Sequence, residues 1–210
     1  MKTRIALLSL LTIACLALAV TPAMAQVFYN NGAPNWTTDA WTINSGFSVS
    51  DSFDTSRCGT GGCLITDISM GLWAFPGDTL DSVEMQLGSS SFGTNFADVT
   101  LFRPTFEDQG TNQFGFDKQV YTFTTSSGPV TGTSWVTLSN ASISNGDPIY
   151  WDENSGPSQA FESSVGSIPS EAFTLSGNSP PVTTPDPSSI MLFGSGILGL
   201  AGILRRRMMR

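Results

Sequence analysis

Through the middle of the chain, apolar and polar residues alternate with a period of two, the spacing of a strand that buries one face. Phe47 to Phe53 sets Phe47, Val49 and Asp51 on one side and Ser48, Ser50 and Ser52 on the other. The strongest strand signal runs from Leu64 to Phe75, with Leu64, Ile68, Met70, Leu72 and Ala74 as the expected inner face and Asp67 and Ser69 outward. Pro76-Gly77-Asp78 then turns the chain. Ser82 to Leu87 points Val83, Met85 and Leu87 inward, and Ala97 to Arg103 repeats the pattern with Ala97, Val99 and Leu101. Further β-rich runs lie at Gln119–Thr125, Ser134–Leu138, Asp147–Asp152 and Glu171–Ser176. Gln26–Asn44 is polar and aromatic, with Asn30-Asn31-Gly32 as a turn signal, and Pro104–Asp117 reads as a long irregular loop. No segment of this middle region carries an apolar stripe at helical spacing. About eight short strands separated by Gly, Pro, Asn and Ser predict an all-β fold, an antiparallel β-sandwich of jelly-roll type.

The two ends break the pattern and divide the chain. Lys2 and Arg4 precede an apolar run, Ile5 to Val20, and Ala23-Met24-Ala25 supplies a small-x-small cleavage site before Gln26. Residues 1–25 therefore read as a secretory signal helix for the Sec machinery. Residues 26–176 form the sandwich domain, and 177–187 a polar, proline-containing linker. In the tail, 188–210, an apolar run from Ile190 to Leu204 is followed by Arg205, Arg206, Arg207 and Arg210. Its 15 residues make roughly 22 Å of helix at about 1.5 Å per residue. That is short for a ~30 Å hydrocarbon core and needs Ser188, Ser189 and bilayer thinning to span it. The arginines stay on the cytoplasmic side and leave the bulk of the chain outside.

Pro185-Asp186-Pro187, the apolar helix and the arginine cluster, in that order, resemble the PEP-CTERM sorting tail of Gram-negative bacteria that make exopolysaccharide. The resemblance covers the last 26 residues. It implies an exosortase as partner, transit through the inner membrane before processing, and delivery to the cell envelope, surface or extracellular matrix. Asp186 stands where the family carries Glu, keeping the carboxylate on a shorter side chain. Left uncut, the same tail is an ordinary membrane anchor. The later sandwich (Ser134–Leu138, Asp147–Asp152, Gly156-Pro157-Ser158 and Ile168–Phe173) resembles the choice-of-anchor surface proteins, which have no established activity.

Composition narrows the chemistry. The chain has no histidine, which removes Ser-His-Asp, Cys-His and His-zinc sites together. From Gln26 to Pro187 three cations (Arg57, Arg103 and Lys118) face all 17 acids, a net −14 that repels nucleic acid. Once Cys15 leaves with the signal, Cys58 and Cys63 remain, and in an oxidising compartment they read as a disulfide closing a Gly-rich loop. Trp73 and Trp151 are candidates for a carbohydrate platform, set against a core role for the aromatics in general. Asp152, Glu153, Glu162 and Glu171 are candidate glycosidase carboxyls, set against a solvated acidic surface. Asp152-Glu153-Asn154 and Asp78 with Asp81 are candidate sites for structural calcium. No catalytic constellation, other cofactor or metal site is legible. These residues predict an exported, non-enzymatic surface or matrix protein. The alternative is a carbohydrate-binding module or weak glycoside-active enzyme.

Overall fold

The period of two becomes fourteen strands in the computed structural model, which describes residues 25–102, 104–178 and 196. In chain order they are β1 (Gln26–Asn30), β2 (Ala40–Thr42), β3 (Ser48–Asp54), β4 (Cys63–Ala74), β5 (Leu80–Gly88), β6 (Ala97–Phe102) and β7 (Thr105–Thr111). There follow β8 (Asp117–Thr124), β9 (Pro129–Val130), β10 (Thr133–Ile143), β11 (Tyr150–Asp152), β12 (Ala160–Glu162), β13 (Gly166–Ile168) and β14 (Phe173–Asn178). They form two antiparallel sheets, a β-sandwich. The first has β4 at its centre, with β14 and β11 along one flank, β8 and β9 along the other, and β1, β2 and β7 outside them. The second runs β13-β12-β3-β10-β5-β6.

Burial follows the alternation where both sheets cover a strand. Val83, Met85 and Leu87 of β5 are wholly buried, as are Val136 and Leu138 on neighbouring β10. Each such side chain contributes about 1.5–3 kcal/mol of burial. On β4, Ile68, Met70, Leu72 and Ala74 point inward as expected, but Leu64 does not. The β4–β14 register skips Thr66 between Asp67 and Ile65, so this bulge hands the core position to Ile65 and leaves Leu64 half-buried.

Two expectations from the sequence need correction. Pro104–Asp117 is no irregular loop, because Thr105–Thr111 pairs with β8 (Thr105↔Thr122, Glu107↔Val120) as the edge strand β7. Every residue of β7 is exposed, so no burial pattern marks it in the sequence. Gln26–Asn44, read as turns, carries the edge strands β1 and β2. The signal region 1–24 and the motif and arginines of the tail lie outside the described residues. Among those described, no helix is long and apolar enough to cross a membrane.

Candidate functional site

Cys58 and Cys63 are joined, with Cα atoms 5.2 Å apart, across a 3-10 turn at Ser56–Gly61 that enters β4. Ala25 and Gln26 sit where β1 begins. Ala23, Pro185, Asp186, Pro187, Arg205, Arg206 and Arg207 lie outside the described residues.

Neither platform candidate offers a ring to solvent. Trp151 points into the core at 0% exposure, touches Phe173 edge-on and donates its indole N–H to the Ala172 carbonyl at 3.0 Å. Trp73 leaves the core face of β4 as alternation requires, yet it is only 4% exposed. The tip of the β7–β8 hairpin closes over it, laying Phe114 on the indole (centroids 5.6 Å) with Phe116 beside it. Gln113 of that tip donates to the Thr37 carbonyl, tying it to the segment between β1 and β2.

The carboxyl candidates are not a solvated surface either. Asp152 accepts the backbone N–H of Asn35 at 2.8 Å and of Trp36 at 3.1 Å, together with the indole N–H of Trp73. Its two oxygens thus hold the Asn35–Trp36 turn onto the outside of β4. Trp36 adopts a positive φ of 61° there, a conformation that costs a non-glycine residue on the order of 1 kcal/mol or more. Gly71 of β4 is glycine because Pro34 and Trp36 lie against it, and a Cβ would fall 2.5 Å from a Pro34 ring carbon. Burial pushes the Asp152 carboxyl up to about 6 against those three bonds.

On the second sheet, Asp51 takes an inner position of β3 with Val49 and Phe53 and is wholly buried. One oxygen accepts the Glu171 N–H at 2.7 Å and the Asn31 amide at 3.2 Å; the other has no partner. Burial pushes this carboxyl up to about 6, partly offset by the nearby Ser158 hydroxyl, which makes no hydrogen bond of ordinary geometry to it, and by the backbone N–H groups of Glu171 and Ser52. Glu171 forms a backbone bridge with Glu153 and is sealed from solvent with both side-chain oxygens unpartnered. Burial, then the charges of Asp51, Glu153, Asp152 and Asp39, hold its carboxyl well above the usual range. Glu153 accepts from the Trp41 indole at 3.2 Å. Glu162 lies apart from these four: burial works to raise it, but the Ser164 and Ser163 hydroxyls and nearby N–H groups outweigh burial and hold it low.

Asn31 stitches the seam together. Its amide nitrogen lies 2.6 Å from Ser158 Oγ, 3.0 Å from Ser170 Oγ and 2.7 Å from the Glu171 carbonyl, while its oxygen accepts from Tyr29. Asn154 donates to the Asn31 carbonyl and accepts from Ser170, and Gly156 packs so near that a Cβ would sit 2.2 Å from the Asn31 carbonyl oxygen. None of this was legible as a site, because its members lie up to 140 residues apart in sequence. One signal was present: an acid, Asp51, on the apolar side of an alternating strand.

The seam's acids serve as hydrogen-bond acceptors or are sealed from solvent. Asp152 is occupied by donors, and Asp51 and Glu171 meet no solvent, so none of the three offers an oxygen to a sugar. Among the described residues no three Asp, Glu or Cys side chains converge as a metal-ligand set, including those around Asp152 and around Asp78 with Asp81. One open feature among the described residues is a groove on the outer face of the first sheet. It has a 240 Å³ part walled by Gly32–Pro34 and a 440 Å³ part bounded by Thr105–Glu107, sharing Ser69 and Val120 in the floor. No family model matches the chain, and no curated protein or solved structure matches it.

Proposed function

We propose that this chain is an exported, non-enzymatic protein of the cell envelope or extracellular polysaccharide matrix, built on a jelly-roll sandwich and sorted by an exosortase through its tail. The observation that carries the reading is the order Pro185-Asp186-Pro187, apolar run, arginine cluster at the end of a chain that begins with a signal-like segment. The Sec machinery exports the chain, the inner membrane holds it before processing, and the matrix or surface receives it. Its acidic charge gives it no affinity for nucleic acid. The buried tryptophans and fastened carboxyls support a structural role over a catalytic one.

The test is intact mass and fractionation from an exosortase-positive host and its exosortase-deleted twin. The expected product of the first begins at Gln26, ends near Pro187 and is released or matrix-bound; the second retains the tail in the inner membrane. A mass that includes Arg210 in both hosts overturns the sorting reading and leaves an anchor.

The groove favours a second reading, in which a strand of exopolysaccharide lies along its hydroxyl-bearing floor of Ser69, Thr122 and Thr174. Ser69→Trp fills the stretch common to both parts. Matrix retention lost in that variant supports glycan binding; unchanged retention leaves the structural role alone.

A further inference from the structure

We propose that the seam joining Asp51, Asp152, Glu153 and Glu171 is a proton-held latch: with Glu171 neutral it binds the Asn31–Trp36 segment to the sandwich, and alkaline surroundings release that segment. Three observations carry this. First, Glu171 Oε1 and Oε2 and Asp51 Oδ1 are buried without a hydrogen-bond partner. Asp51 has donors on its other oxygen, but a Glu171 carboxylate has no protein donor on either one, so the neutral acid is its less costly form.

Second, every charged group acting on Glu171 is another acid: Asp51 from β3, Asp152 from β11, Glu153 from the bridged backbone and Asp39 from the segment before β2. Tyr29 of β1 feels Asp51 as well, and its hydroxyl is pushed up to about 12, chiefly by burial. Each of these charges resists ionisation of Glu171, and among the described residues no basic side chain acts on it.

Third, Asp51, Asp152 and the Glu171 backbone converge on one segment. The Asn31 side chain ends on Asp51 Oδ2 and the Glu171 carbonyl, and the Asn35 and Trp36 N–H groups end on Asp152. Gly32 to Pro34, between those anchors, form a wall of the outer groove. Proton loss places like charges together in a closed space, and the least costly relief is to let water in by lifting the segment that closes it. The latch and the groove wall are the same piece of chain.

The experiment is deuterium exchange by mass spectrometry on the full-length chain in detergent with EDTA, corrected for the intrinsic pH dependence of exchange. Between about pH 5 and about pH 8, protection of peptides covering residues 31–36 and 170–173 should fall roughly tenfold or more while β10 peptides hold. In Glu171→Gln the same peptides should lose most of that dependence. Should this variant not fold, 13C-glutamate titration of the native chain reads the same point, with Glu171 still protonated at neutral pH. The proposal is overturned by protection that does not change with pH, or by an ionised Glu171 at neutral pH. It is equally overturned if calcium restores protection at about pH 8, since a cation and not a proton would then neutralise the seam.

Discussion

Asp152 shows how a single side chain can look catalytic in sequence and act as a fastener in space. Asp152→Ala strips the acceptor from three donors at once: the Asn35 and Trp36 N–H groups and the Trp73 indole. Leaving buried donors unpaired costs about 1–3 kcal/mol each, so the variant should lose at least ~2 kcal/mol in urea unfolding. A loss within ~0.5 kcal/mol would mean that water replaces the carboxylate easily and that the turn is not held as described. Gly71→Ala probes the same packing from below. Its Cβ meets the Pro34 ring, and overpacking of this kind costs about 1–3 kcal/mol. The change should also raise exchange at Asn35 and Trp36 without disturbing β10.

At the scale of elements, the Cys58–Cys63 bridge is a local staple. It closes a short loop beside β4, and the loop-closure entropy for so few residues is roughly 2 kcal/mol. Replacing both cysteines with serine should therefore lower unfolding stability by about that amount while the far-ultraviolet β signal persists. Loss of the folded state would show that the staple holds the whole sandwich. The strands themselves were legible in proportion to their burial. β5 showed itself because Val83, Met85 and Leu87 must all reach one core. β7 did not, since an exposed edge strand is held by backbone pairing, and Thr-Phe-Glu-Asp-Gln-Gly-Thr carries no face for a period to reveal. Leu64 and Ile65 exchanged roles because a bulge changes parity without altering composition. The seam was hidden for a third reason: its chemistry depends on which distant strands become neighbours, and only Asp51, an acid at an inward position, betrayed it.

For the whole molecule, these carboxyls set an unusual dependence of stability on pH. Asp51 and Asp152, pushed up to about 6, and Glu171, held well above its ordinary range, retain protons that the unfolded chain has already released in the ordinary carboxyl range. Their contribution is complete below the ordinary carboxyl range and is lost as pH rises through about 6 and beyond. Moving Asp51 from 3.8 to about 6 corresponds to roughly 3 kcal/mol between the two limits. Asp54, Glu84 and Glu162 work in the opposite sense, since hydrogen bonds hold them below that range and their contribution disappears in acid. Asp54 and Glu84 sit near solvent, so their share is the smaller. Urea unfolding across pH should therefore peak at about pH 4 and decline from there through about pH 6 and beyond. Repulsion over the acidic surface has the same sign, but salt separates the two causes. Surface repulsion is largely screened at about 0.5 M salt, while charges buried in the seam are screened much less. A decline that survives salt and shrinks in Glu171→Gln, leaving the share of Asp51 and Asp152, places its origin in the seam. Stability that rises steadily from about pH 4 to about pH 8 would show that the buried acids carry their charge in the folded chain.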